Sequence, residues 1–129
     1  MSNTLEKKKL LIVDDDEIHL EIAKTILDEY YETLTASSGK HALELLYKGH
    51  VPNLVLLDIV MPNMDGWEVF RRIKAISTLH DIPVAFYTSS TGEAEEKHAQ
   101  AIGAVDYLIK PFNKDDLLQS LDNILAKNS

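Results

Sequence analysis

The chain has no cysteine. Without a thiol there is no disulfide, no thiolate metal site and no cysteine nucleophile, and a reducing cytoplasm is the compartment that fits. It also lacks any apolar stretch approaching the ~20 residues that cross a bilayer. The start, Met1-Ser2-Asn3-Thr4-Leu5-Glu6-Lys7-Lys8-Lys9, has no apolar run after its charges and does not read as a signal peptide. Basic charge is scarce: 13 Lys and Arg stand against 21 Asp and Glu, a formal net charge of −8. That balance argues against direct binding to a nucleic-acid backbone or an anionic membrane. The one basic cluster, Lys7-Lys8-Lys9, reads as a solvated lead-in to the first strand. His19, His41, His50, His80 and His98 are scattered without ligand spacing and read as surface histidines.

What is present is a repeated pattern. In 129 residues, 45% hydrophobic and 26% charged, one domain with a sizeable core is expected. Short apolar runs end again and again in a residue suited to phosphate chemistry. Leu10 to Val13 leads into Asp14-Asp15, Leu54 to Leu57 into Asp58, Val84 to Tyr87 into Thr88, and Tyr107 to Ile109 into Lys110-Pro111. Such runs read as strands buried on both faces of a parallel sheet. Ligands of open parallel sheets bind beyond the carboxyl ends of the strands, so this edge is the place to look for function.

Helical patterns alternate with the runs. Ile18, Ile22, Ile26 and Leu27 form a stripe within roughly residues 16–30. A short second strand near Glu32 to Ala36 precedes Ser37-Ser38-Gly39, a helix start, and Ala42, Leu43, Leu45 and Leu46 face inward. Asp65 followed by Glu68 has the spacing of a capping box, with Val69, Phe70, Ile73 and Ile76 lining the helix. A fifth strand runs from about Val105 to Ile109, and Asn113 with Asp116 starts a last helix facing inward through Leu117, Leu121, Ile124 and Leu125. The segment from Gly92 to Ile102 offers the core mostly Ala94, Ala99, Ala101 and Ile102. Alanine buries little area, so that helix docks weakly and belongs among the moving parts. Five βα units with right-handed crossovers predict an α/β, doubly wound, flavodoxin-like fold with strand order 2-1-3-4-5.

That order puts Asp14 and Asp15 beside Asp58. Three converging carboxylates repel, and a hard divalent cation relieves the conflict; magnesium suits an oxygen-only site that leaves room for a phosphate oxygen. Lys110 supplies a point positive charge and Thr88 a hydroxyl donor. These are the parts needed to move a phosphoryl group onto a carboxylate, and Asp58, the central one, is the expected nucleophile.

At Asp14-Asp15, Asp58 with Met61-Pro62-Asn63-Met64-Asp65-Gly66, Thr88-Ser89, and Gly103-Ala104-Val105-Asp106-Tyr107 leading to Lys110-Pro111-Phe112, the chain closely resembles the chemotaxis-type receiver domain of response regulators in two-component signalling. The likeness runs from about Lys8 to Ala126. It implies that Asp58 accepts phosphate from a phosphohistidine on a histidine kinase or phosphotransfer protein. It implies that Asp15, Asp58 and the Val60 carbonyl hold Mg2+, or Mn2+ in its place, with Asp14 assisting largely through water. It implies a cis Lys110-Pro111 bond and phosphate contact by Lys110. The resemblance further implies that Thr88 turns toward the phosphate while Tyr107 moves from outward to inward, remodelling a surface of helix 4, strand 5 and helix 5 that signals to a downstream protein. The protein is then a monomer or a dimer formed on phosphorylation, and a signalling module rather than a classified enzyme.

Val60 and Ser90 sit where the family tunes phosphoaspartate hydrolysis. Apolar Val60 orients no attacking water, so slow self-dephosphorylation is expected. A single receiver domain over 1–129, with no effector domain, is the expected organisation. Asp16 reads as a helix cap, Met61 and Met64 as loop packing, and Phe70 as core, with Trp67 open to a partner patch. Ser89-Ser90-Thr91-Gly92-Glu93 has a weak likeness to a flavodoxin phosphate loop, but that loop follows the first strand and flavin leaves the acids unexplained. The alternatives are an aspartate-dependent phosphohydrolase, which needs a second acid where Val60 stands, and an interaction module that never takes phosphate.

Overall fold

The computed structural model describes residues 7–89, 92–111 and 113–127. Among these, five strands pair in parallel in the order β2-β1-β3-β4-β5. They are β1 (Lys9–Val13), β2 (Glu32–Ala36), β3 (Leu54–Leu57), β4 (Val84–Thr88) and β5 (Asp106–Ile109). The helices between and after them are α1 (Glu17–Leu27), α2 (Gly39–Tyr47), α3 (Gly66–Lys74), α4 (Glu93–Ile102) and α5 (Lys114–Lys127). This is the α/β, flavodoxin-like order that the alternating pattern predicts. Ser90, expected to tune phosphate hydrolysis, lies outside the described residues, as do Thr91, Phe112 and residues 1–6 and 128–129.

Successive strand residues point to opposite faces, and each face has its own core. Leu11, Val13, Val55, Leu57, Val84, Phe86 and Tyr107 join Ala42, Leu43, Leu46, Val69, Phe70 and Ile73 on the side of α2, α3 and α4. Leu10, Ile12, Leu54, Leu56, Ala85 and Tyr87 join Leu20, Ala23, Leu27, Leu117, Leu121, Ile124 and Leu125 on the side of α1 and α5. Every residue of β3 and β4 is buried, which is why those runs are apolar throughout rather than alternating.

Three expectations need correction. The inward face of α1 is Leu20, Ala23 and Leu27, while Ile18 and Ile22 are 71% and 52% exposed. The helix carries two apolar stripes, and the Leu20, Ala23 and Leu27 stripe is the one that packs on the sheet, while Asp16 caps the helix by accepting from the Ile18 and His19 N–H groups. In α3 Asp65 accepts from the Glu68 N–H at 3.0 Å, but the Glu68 carboxylate turns to Arg71 and Arg72, so the cap holds by its forward bond. In α4 the exposed residues include Ala94, Ala101 and Ile102; of its described residues only Ala99 is buried. The weak docking expected of this helix is weaker still.

Candidate functional site

The ladder continues one residue past the strands and so fixes the backbone of the site. The Asp14 N–H donates to the Ala36 carbonyl at 3.1 Å, the Asp58 N–H to the Val13 carbonyl at 2.9 Å, and the Lys110 N–H to the Thr88 carbonyl at 2.8 Å. By strand alternation Asp14 and Asp58 continue the α1/α5 side, after Ile12 and Leu56. The turn after β3 is equally constrained. Gly66 opens α3 against that strand end, where an added Cβ would lie 2.2 Å from the Asp58 carbonyl oxygen and 2.8 Å from the Ile59 Cα. Only glycine fits so close to another backbone.

Asp14, Asp15 and Asp58 each present an oxygen within 4.8 Å of the others. Asp14 and Asp58 are buried and Asp15 is exposed. Lys110, its side chain 11% exposed, bridges the buried pair, donating to Asp14 Oδ2 at 2.6 Å and to Asp58 Oδ2 at 3.2 Å. The two acids respond in opposite senses. Burial raises the pKa of Asp58, and the neighbouring Asp14 charge adds to the rise, with Lys110 offsetting only part of it. Burial also presses on Asp14, but the hydrogen bond from Lys110, the Asp16 N–H and the Tyr87 hydroxyl outweigh it and hold its pKa below the usual carboxylate value. A site in which one carboxylate is well supplied with donors and its neighbour is not suits a hard cation that would serve the second. The donor set, carboxylate oxygens of mixed burial without nitrogen or sulfur, fits magnesium.

Thr88 ends β4, fully buried, on the strand next to β3. By alternation it continues the opposite face from Tyr87, toward α3 and α4. Tyr107 pairs with Phe86 across β4 and β5 and is 8% exposed within the core on that side, the inward of the two positions the resemblance implies. Val60 is 68% exposed beyond β3. The Lys110-Pro111 peptide bond is cis.

Two neighbours of the site escaped the sequence reading. The Tyr87 hydroxyl donates to Asp14 Oδ2 at 2.9 Å, and Lys110 Nζ stands 4.5 Å from the Tyr87 ring centroid. His19, read as a surface residue, brings Nδ1 to 3.5 Å from Asp14 Oδ2 and 3.4 Å from Lys110 Nζ. A signal for Tyr87 existed in strand parity: it alternates onto the same side of the sheet as Asp14. His19 had none, because its place depends on the rotation of α1. Together with Ile22, Ala23, Ser89, Lys110 and Pro111 these two line a groove of about 360 Å³ beside the acids.

The family model for the response regulator receiver domain matches residues 10–122. A Galdieria sulphuraria protein named "Probable transcriptional regulator ycf27" is 40% identical over 98% of this chain and 49% of its own length. The response regulator SaeR of Staphylococcus epidermidis is 36% identical over 93% of this chain and 51% of its own. The chain thus spans about half the length of these curated relatives. The solved structure of the Vibrio cholerae chemotaxis protein CheY4 superimposes with a TM-score of 0.84 at 30% identity, covering 92% of this chain and 98% of that one.

Proposed function

Since the chain belongs to the response regulator receiver domain family of two-component signalling, we propose that it is a magnesium-dependent phosphoacceptor whose Asp58 takes a phosphoryl group from a phosphohistidine. The observation that carries this reading is the Lys110 ammonium bridging Asp14 and Asp58 within a group of three carboxylates at adjoining strand ends.

The chemistry follows from the residues. An Asp58 carboxylate oxygen attacks phosphorus, forming an O–P bond as the N–P bond of the donor imidazole breaks. The imidazole leaves with the electron pair and takes up a proton. Attack needs the carboxylate ionised, which burial opposes and a nearby positive charge favours. Magnesium, held by Asp15, Asp58 and the Val60 carbonyl with Asp14 assisting, would supply charge neutralisation for the carboxylate and the phosphoryl oxygens. Lys110 stands 3.2 Å from Asp58 Oδ2, from where it turns to an incoming phosphoryl oxygen. Thr88 donates its hydroxyl to the phosphoryl group, and Tyr107 reports that turn at the surface of α4, β5 and α5. The donor is a histidine kinase or phosphotransfer protein, and the readout is a downstream protein.

The exposed Val60 side chain orients no water at Asp58, so the phosphoaspartate is long-lived. The same residue counts against a phosphohydrolase, which needs an acid at that position.

The test is incubation with acetyl phosphate and MgCl2, followed by intact mass. The protein should gain the mass of one phosphoryl group, and neither Asp58→Asn nor a sample in excess chelator should gain it. An unchanged wild-type mass sinks the reading.

A further inference from the structure

Tyr87 is not one of the groups that phosphoryl transfer calls for, yet it is the long side chain built into the wall of the site. Asp14 is wholly buried. Its Oδ1 accepts the Asp16 N–H at 2.9 Å, and its Oδ2 accepts both Tyr87 Oη at 2.9 Å and Lys110 Nζ at 2.6 Å, with His19 Nδ1 at 3.5 Å. Lys110 is therefore shared among Asp14, Asp58 and, in the phosphoacceptor reading on which this inference rests, the phosphoryl oxygens. A buried carboxylate resists losing its cation, because an unpaired charge out of water is costly. The site needs a way to let Lys110 go.

We propose that Tyr87 is a positioning residue that stays on Asp14 as a permanent donor, so that Lys110 can leave that carboxylate for the phosphoryl group. Tyr87 is 1% exposed and belongs to the α1/α5-side core together with Ile12, Leu56 and Leu117, so the side chain has little room to swing its hydroxyl away. It does not ionise either: burial, together with the Asp14 charge and the hydrogen bond to it, raises the phenol far above its ordinary pKa. The ring face also gives the ammonium a favourable surface as it moves, 4.5 Å from the centroid. Without the hydroxyl, Lys110 is the one strong donor left on Asp14 Oδ2 among the described residues and is retained there.

Tyr87→Phe keeps the ring and removes the donor. Four forms of the full chain decide the matter: wild type, Tyr87→Phe, Lys110→Met and the double variant. Phosphoryl uptake from acetyl phosphate with MgCl2 should slow about tenfold in Tyr87→Phe, the worth of a hydrogen bond to a charged group. In the Lys110→Met background the same change should cost less than twofold, because the ammonium it releases is gone. Urea unfolding without magnesium gives a second readout that needs no phosphorylation. Two donors that substitute for each other on one oxygen make the double variant lose more in midpoint than the sum of the singles. An unslowed Tyr87→Phe, an equal slowing in both backgrounds, or additive midpoints would overturn the proposal. A wild type that takes no phosphoryl group would sink the phosphoacceptor reading, while the midpoints still judge Tyr87.

Discussion

Asp58 and Asp14 carry the same chemical group, and their surroundings drive them apart. Asp14 has three donors, Lys110, the Asp16 N–H and the Tyr87 hydroxyl, and a lowered pKa, whereas Asp58 has the longer bond to Lys110 and a raised one. The sign for stability follows. A carboxylate whose folded pKa is raised favours the fold most below the unfolded pKa, and loses that advantage as pH rises through the folded value. Asp14 does the reverse: its contribution is present above the unfolded pKa and lost as pH falls through its folded one. Asp58→Asn should therefore raise the melting temperature at neutral pH without magnesium, by the several degrees that about 1 kcal/mol produces in a domain of this size. The gain should shrink as pH falls below the carboxylate range. Added MgCl2 should reverse the order, since binding at 100 times the dissociation constant stabilises by about 2.7 kcal/mol and the variant lacks a ligand. Calorimetry at several pH values, with and without magnesium, checks each part; a variant less stable than wild type in metal-free neutral buffer would contradict it.

At the scale of elements, the helices differ in how firmly they hold. α3 buries Val69, Phe70 and Ile73, and α5 buries Leu117, Leu121, Ile124 and Leu125. α4 has Ala99 alone among its described residues, begins at Gly92 without a side-chain cap, and touches the single Trp67 of the chain through the His98 ring at 4.8 Å. Little apolar area holds it, so local opening costs little. In hydrogen exchange the amides of Glu93–Ile102 should exchange at least tenfold faster than those of Lys114–Lys127. Equal protection would remove α4 from the moving parts. The Glu68 carboxyl on α3 makes a useful contrast. Hydrogen bonds from Arg71 and then Arg72 hold it at a pKa of about 2, yet the cluster lies at the surface, and solvent screening leaves it little influence on the fold. Element positions and caps were largely legible, as at Asp16, Ser38 and Asn113. The rotation of α1 was not, because two apolar stripes compete on one helix and only the sheet beneath decides which is buried.

For the whole molecule, the net charge of −8 and three acids at one edge set a repulsive field in metal-free protein. Raising NaCl from about 0.01 to 0.15 M shortens the Debye length from about 30 to 8 Å, so the melting temperature should rise without magnesium. The rise should be smaller in Asp58→Asn, measured by the same calorimetry; equal rises would place the repulsion elsewhere. The sequence by itself determined the alternation of strands and helices, and the reactive residue at each strand end, Asp14, Asp15, Asp58, Thr88 and Lys110. Apolar runs, helix caps and chain order are local properties, and the right-handed crossover turns them into one sheet. Only the tertiary structure decided how those groups share their charge. Lys110 bridges two carboxylates, Tyr87 reaches Asp14 past β3, and His19 comes to the rim. Those contacts depend on side-chain reach across 73 to 96 residues of chain and on the rotation of a helix, which no local pattern encodes.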